Sequence, residues 1–177
     1  MIRKNNLLTL LALLILIMPI IIMSSGCRQA NEEFAIYLTE NSVSPSQMPA
    51  LSQVKLASQP LIDINDIVTY DAKTHEIVLT ENAYQRILHL QVPTSGTSFV
   101  VCAGGKPIYD GAFWTPISSQ SYSGIIIEKP LASNDVHSIQ ISPGYPAFSF
   151  FQGEDRRNDP TIMNALEKAG KLINNEK

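Results

Sequence analysis

The stretch SFVVCAGGKPIYDGAF, residues 98–113, decides the fold. Residues 98–103 are apolar or small on both faces, a pattern typical of a strand in the middle of a sheet. Residues 104–107, Gly-Gly-Lys-Pro, predict a tight turn, because glycine readily adopts the backbone angles that hairpin turns require. Residues 108–113 then return as an antiparallel strand. The stretch therefore predicts a β-hairpin at the centre of a sheet.

Further short strands are predicted on both sides of this hairpin from apolar or alternating patterns. They are residues 34–38, 54–56, 67–70, 76–79, 124–127 and 138–141. A polar turn that begins with Asp71 joins two of them into a second hairpin. Just before that hairpin, Asp63 and Asp66 are expected to cap a helical turn.

Two helices complete the predicted domain. Thr80 occupies an N-cap position, and the helical stripe that follows ends at Pro93. Asp159 caps a second helix with Pro160 at its first position and an apolar stripe that reaches Ile173. The sequence therefore predicts a single α+β domain with a mostly antiparallel sheet of about seven or eight short strands and two helices.

The N-terminus has the pattern of a secretion signal. Arg3 and Lys4 precede an apolar run over residues 7–23, and the small residues at 24–26 follow it. Positive, apolar and then small is the order found in exported precursors. The apolar run approaches the length that spans a bilayer, so a retained transmembrane helix is the alternative.

The sequence Ser24-Ser25-Gly26-Cys27 resembles the lipobox of bacterial lipoproteins, although Ser24 stands where lipoboxes usually carry leucine. The resemblance implies signal cleavage after Gly26 and a diacylglyceryl group on the sulfur of Cys27. It divides the chain into a signal peptide (1–26), a lipidated tether (27–33) and an extracytoplasmic domain (34–177). The implied location is the extracytoplasmic face of the cell membrane, reached through the lipid anchor.

The charge of the chain argues against a nucleic-acid-binding protein. Removing Arg3 and Lys4 with the signal peptide leaves 11 basic against 16 acidic residues, a formal net charge of −5. Nucleic acid and anionic lipid both require clustered lysine and arginine. The longest basic run, Arg156-Arg157, stands among acidic residues.

Residues 80–128 resemble part of a known domain. The order LTENAYQRILHL, SFVVCA, GGKPIYDG and GIIIE is similar to the first large periplasmic domain of SecD-type translocase subunits, and residues 34–38 fit the same order. That resemblance implies an extracytoplasmic α+β module that contacts other polypeptides. No transport role follows from it, because this chain has only its N-terminal apolar run where SecD proteins carry several transmembrane helices.

The thiol and the imidazoles give no catalytic or metal-binding pattern. Cys102 lies inside the predicted central strand, where a small buried residue packs well, so a structural role is predicted. His75, His89 and His137 show no metal-ligand spacing. There is no serine nucleophile elbow and no phosphate-binding glycine loop, so no catalytic residue, metal or cofactor is predicted.

Two segments are candidates for partner binding. Trp114 and Tyr122 bracket a polar loop, a composition suited to recognition surfaces. Arg156 and Arg157 lie in the charged stretch GEDRRNDP, residues 153–160, which is either a self-paired loop before the last helix or a docking loop.

Two hypotheses of function follow. The first is a non-catalytic, membrane-anchored module that binds an envelope protein or peptide. The second is a small-molecule receptor or an enzyme with a pocket built from dispersed residues. A pocket lined by Trp114, Tyr122 and a charged residue would favour the receptor.

Overall fold

The computed structural model of the chain describes residues 34–133 and 135–173, which belong to one compact unit. The predicted signal peptide, Gly26, Cys27 and the tether lie outside these residues. The described residues form nine β-strands and two α-helices. The strands are β1 Ala35–Leu38, β2 Ile62–Asp63, β3 Ile67–Asp71, β4 Glu76–Leu79, β5 Thr97–Ala103, β6 Lys106–Trp114, β7 Tyr122–Glu128, β8 Ser138–Tyr145 and β9 Leu172–Ile173. The helices are α1 Glu81–Leu88 and α2 Pro160–Lys168.

All nine strands belong to one sheet, in the order β2-β1-β5-β6-β7-β8-β4-β3-β9. Neighbouring strands are antiparallel except for the pairs β6–β7 and β3–β9, which are parallel. The predicted α+β class and the mostly antiparallel sheet are confirmed, with nine strands where seven or eight were expected. No helix within the described part of the chain is both long and apolar enough to cross a bilayer.

The hairpin predicted from residues 98–113 joins β5 to β6 near the middle of the sheet. Gly104 and Gly105 form its turn with φ of 57° and 70°, angles that L-residues with a side chain rarely adopt. Ser98 pairs with Ala112, and Val100 pairs with Asp110. Every residue of β5 is buried, as expected for a central strand.

The helices begin where the sequence places their caps. The Thr80 hydroxyl accepts a hydrogen bond from the backbone N–H of Ala83 (3.4 Å), and the Asp159 carboxylate accepts one from Thr161 (2.9 Å). Asp63 and Asp66 form the predicted cap of a short 3-10 helix, Ile64–Asp66.

Both helices pack against a core on one face of the sheet. This core draws large apolar side chains from most of the strands and from both helices. Those with the least exposure include Phe34, Ile36, Tyr70, Ile77, Tyr84, Phe99, Phe113, Ile127, Ile162 and Leu166.

One predicted strand is absent from the described residues, and both helices end earlier than predicted. Residues 54–56 form no strand; Leu56 makes only an isolated bridge with Thr39, after a 3-10 helix at Leu51–Gln53. Helix α1 ends at Leu88, several residues before Pro93, and α2 ends at Lys168.

The end of α2 has a physical cause. Gly170 has a φ of 67°, the left-handed geometry that commonly ends helices. The apolar residues beyond it therefore leave the helix and form β9, which pairs in parallel with β3. The prediction that the helix continues to Ile173 is therefore wrong.

Candidate ligand-binding cleft

The candidate site lies on the face of the sheet opposite the main core. There Ala112, Trp114 and Ile126 form a second, smaller cluster with Tyr122 and Tyr145. Since side chains alternate along a strand, the β6 residues that face this side come between those that face the core. The two parallel strands β6 and β7 thus carry core residues on one face and site residues on the other.

The ring of Trp114 is buried and is stacked on a second aromatic ring. It is only 2% exposed, and its ring stacks on that of Tyr122 with a centroid distance of 5.3 Å and an interplanar angle of 13°. Tyr145 lies 5.9 Å from the same ring and donates a hydrogen bond to the carbonyl of Pro116 (3.2 Å). The loop predicted as a recognition surface is therefore tied to β8, and Tyr122 is the more exposed of its two aromatic ends.

Because Gly124 has no side chain, the Tyr122 ring can lie against its backbone. A Cβ atom at Gly124 would lie 2.6 Å from both Cζ and Oη of Tyr122, so the phenol ring lies along the strand directly over this glycine. The parallel register pairs Gly111 with Ile125. Continued by one residue, it places Gly124 beside Asp110, and the Tyr122 ring therefore lies next to Asp110.

A cleft of about 320 Å³ opens at this point, here called the Asp110 cleft. Its floor is formed by β6 and β7, including Asp110 and Tyr122. Leu51 forms one side, and the other side is the segment before α2, which contributes Phe151, Gln152, Glu154 and Arg156.

The wall of the Asp110 cleft is hydrogen-bonded to its floor. The backbone N–H of Gln152 donates to the carbonyl of Ser123 (2.9 Å), and Arg156 donates to the carbonyl of Ile108 (2.5 Å). Arg156 also forms an ion pair with Asp159 (2.5 Å). These bonds fix the wall on two neighbouring strands, so the shape of the cleft is built into the fold.

Asp110 is a half-buried carboxylate in the floor of this cleft. Burial raises the pKa of its carboxyl group above the ordinary value. Within the described residues, the three salt bridges join other pairs, and none involves Asp110. Burial first, and the Asp110 carboxylate second, raise the pKa of Tyr122 to about 12, in keeping with their close approach.

Arg157 lies outside the Asp110 cleft. It binds both oxygens of Asp155 (2.9 and 2.7 Å) and donates to the carbonyl of Ile141 (2.8 Å). Its hydrogen bond is the main reason that the pKa of Asp155 is lowered. Of the four predicted partner-binding residues, the structure thus brings Tyr122 and Arg156 into one cleft with Trp114 behind Tyr122, and it places Arg157 elsewhere.

Cys102 is buried on the central strand, as predicted, with 8% of its surface exposed. Burial raises the pKa of its thiol to about 11. A thiol nucleophile needs the opposite shift, toward the thiolate at neutral pH.

The three histidines occupy separate structural positions. His75 is buried, with Nδ1 2.9 Å from the Tyr70 hydroxyl. His89 caps α1 from the surface, with Nδ1 2.7 Å from the carbonyl of Gln85. The His137 ring lies 5.2 Å from that of Tyr84. In the part of the chain that the structure describes, no group of three or more histidine, cysteine or acidic side chains is arranged to hold a metal ion.

No protein-family model matches the chain, and no curated protein or solved structure is significantly similar to it.

A second and larger concavity, of about 510 Å³, follows the outer side of β7 and β8. Phe148 at its edge is 70% exposed. Among the described residues that line it, Glu128 is the one carboxylate, and the remainder are apolar or uncharged. This groove therefore has fewer charged side chains in its lining than the Asp110 cleft.

Asp110 was missed by sequence analysis, although a signal was present. It is the one charged residue between Pro107 and Trp114, on a strand predicted to lie at the centre of the sheet. A carboxylate on such a strand calls for an explanation, because a buried charge is costly without a partner. The neighbouring Gly124 and the wall before α2 were not predictable, since they reach Asp110 only through the parallel pairing of β6 and β7.

Proposed function

We propose that this protein is a membrane-anchored extracytoplasmic lipoprotein whose folded domain, residues 34–177, binds a ligand in the Asp110 cleft and performs no chemistry on it. One observation carries the proposal. The cleft combines the half-buried Asp110, which forms no salt bridge within the described residues, with Tyr122 and Arg156 on a floor and wall that are hydrogen-bonded together. Preformed concavities with a few fixed polar groups are the usual form of ligand sites.

The anchor is supported by the sequence alone. The lipobox-like residues 24–27 follow an apolar run with a positive start, and the remaining chain has a formal net charge of −5. Two acyl chains, each contributing about 0.8 kcal/mol per buried methylene, hold a domain stably on a membrane. An acidic domain with such an anchor needs no basic surface to stay at the membrane.

A binding role is supported over thiol catalysis by the state of Cys102. Its thiol is buried and has a pKa raised to about 11, so at neutral pH it is overwhelmingly protonated. We expect Cys102 to resist alkylation in the native protein and to react once the protein is unfolded. Rapid alkylation of native Cys102 would support the enzyme hypothesis instead.

Site-specific crosslinking in intact cells tests the Asp110 cleft. A photoreactive amino acid replaces Glu154 in the cleft wall of the full chain, and the matched control replaces Glu81, an exposed acidic residue on α1. The proposal predicts a crosslinked species from position 154 and not from position 81. The mass of that species separates a small molecule from an envelope protein or peptide. Equal crosslinking from both positions, or none from 154, would contradict the proposal.

A substitution at Cys27 tests the anchor. Cys27→Ala removes the sulfur that would carry the lipid, so incorporation of labelled fatty acid should be lost and an unprocessed precursor should accumulate. Cys102→Ala serves as the control and should be processed and labelled as the wild type is. Unchanged labelling of the Cys27→Ala variant would refute lipidation at this residue.

A further inference from the structure

We propose that the Asp110 cleft recognises an organic cation, an ammonium or guanidinium group, which pairs with the Asp110 carboxylate beside the Tyr122 ring. This inference rests on the proposed function, because it names the ligand class of the same site.

The charges that line the cleft favour a cation. Asp110 and Glu154 both line it, and neither forms a salt bridge within the residues that the structure describes. Arg156 is the basic residue of the wall, but its guanidinium group is already bound to Asp159 and to the carbonyl of Ile108. The charged groups of the cleft that remain available to a ligand are therefore carboxylates, and they would repel an anionic ligand.

The aromatic and apolar lining favours an organic cation over a hydrated ion. Tyr122 is held parallel to Trp114 by stacking, so its ring has a fixed orientation next to Asp110. Trp114 covers one face of this ring, so a cation within about 6 Å of the centroid would be attracted to the other face. Leu51, Ile125 and Phe151 supply apolar surface for the carbon part of the ligand. Calcium, by comparison, takes six to eight oxygen ligands, more than two carboxylates provide.

The volume of the cleft limits the size of the cationic group that it can bind. About 320 Å³ lies at the lower end of the range for small-molecule pockets. It accommodates one amino-acid-sized group, either a free amine or the basic side chain of a polypeptide.

The single tryptophan of the chain provides the readout, because Trp114 stacks on the ring that would contact the ligand. The full chain in detergent micelles is titrated with Nα-acetyl-lysine amide and Nα-acetyl-arginine amide while Trp114 fluorescence is recorded. The norleucine derivative is the neutral control of the same shape, and the glutamate derivative is the anionic control. Butylammonium, which lacks the peptide groups, separates a free amine from a polypeptide side chain.

The inference predicts that a cationic derivative binds at least 10-fold more tightly than the norleucine derivative, with an affinity that falls as salt is added. Asp110→Asn should weaken cation binding at least 10-fold, whereas Asp135→Asn, the same charge change in an exposed turn, should have no effect. If butylammonium binds as well as the lysine derivative, the natural ligand is a free amine; tighter binding of the amide derivatives indicates a basic polypeptide segment.

A second variant tests the geometry without a change of charge. Gly124→Ala adds a methyl group where the Tyr122 ring lies, so the ring must move while Asp110 stays in place. The inference predicts weaker cation binding by this variant with folding retained.

Two results would overturn the inference: cations that bind no better than the norleucine derivative, or cation affinity that Asp110→Asn leaves unchanged. The proposed function fails separately. Crosslinking from position 154 to a neutral or anionic species would keep the binding function and reject the cationic ligand.

Discussion

Folding shifts the pKa values of Asp110 and His75 in opposite directions. Burial raises the pKa of the Asp110 carboxyl, so the folded state disfavours its charge. Burial first, and the nearby Arg157 second, lower the pKa of His75, so the folded state favours its neutral form. The two groups therefore give opposite pH dependences of stability.

We predict that Asp110→Asn stabilises the protein at pH 7 by up to about 1 kcal/mol, because a half-exposed charge pays only part of the cost of burial. Asp110 has a folded pKa above its unfolded value, so the wild type should gain stability relative to the variant as the pH falls through that pKa. Urea unfolding of both proteins at pH 7 and pH 4 measures this difference. A variant that is less stable at both values would show that Asp110 serves the structure rather than a ligand.

His75 should make the protein less stable in mild acid. Its folded pKa is lowered, so its contribution is present above the unfolded pKa near 6.5 and is lost as the pH falls. His75→Asn keeps a side chain that tolerates the left-handed backbone, where φ is 59°. We expect the loss of unfolding free energy between pH 7.5 and pH 5.5 to be smaller in this variant, by at most about 1.4 kcal/mol per pH unit. An unchanged pH dependence would assign the acid sensitivity to other groups.

At the scale of elements, the parallel pair β6–β7 builds the site, and two glycines on it have different roles. A Cβ at Gly111 would lie 2.5 Å from the Phe99 ring and 2.6 Å from the backbone oxygen of Ile125. The three atoms nearest to a Cβ at Gly124 would all belong to the Tyr122 side chain, at 2.6–2.7 Å. The absence of a side chain at Gly111 therefore allows β6 and β7 to pair closely, and its absence at Gly124 leaves room for the Tyr122 ring.

We predict that Gly111→Ala lowers the free energy of unfolding by about 3 kcal/mol, because the neighbouring backbone cannot yield as a side chain can. Gly124→Ala should cost less than about 1 kcal/mol, yet it should change Trp114 fluorescence by displacing Tyr122 from the stack. Equal losses of stability in the two variants would contradict this assignment.

The elements also show what could be predicted from the sequence. The β5–β6 hairpin and the helix starts depend on local signals, Gly104-Gly105 and the caps Thr80 and Asp159, and they were predicted correctly. Strand β9 was missed because its apolar residues continue the stripe of α2, and only its pairing with β3 distinguishes it from a helix. The Asp110 cleft was missed for the same reason, since its parts meet through long-range pairing.

For the whole molecule, we propose a cleaved leader and a lipid on Cys27, both outside the described residues, that bring a domain with a preformed cleft to the membrane surface. Because the chain after residue 26 has a formal net charge of −5, the proposed lipid, and not a basic surface, would hold the domain at a membrane. Binding at the Asp110 cleft would then take place where ligands outside the cytoplasm can reach it.

The intact mass of the chain isolated from cell membranes shows whether the leader is removed and whether Cys27 carries a lipid. We predict a polypeptide that begins at Cys27 and carries the added mass of a diacylglyceryl group on that residue. A mass equal to that of all 177 residues, with both cysteines unmodified, would contradict it.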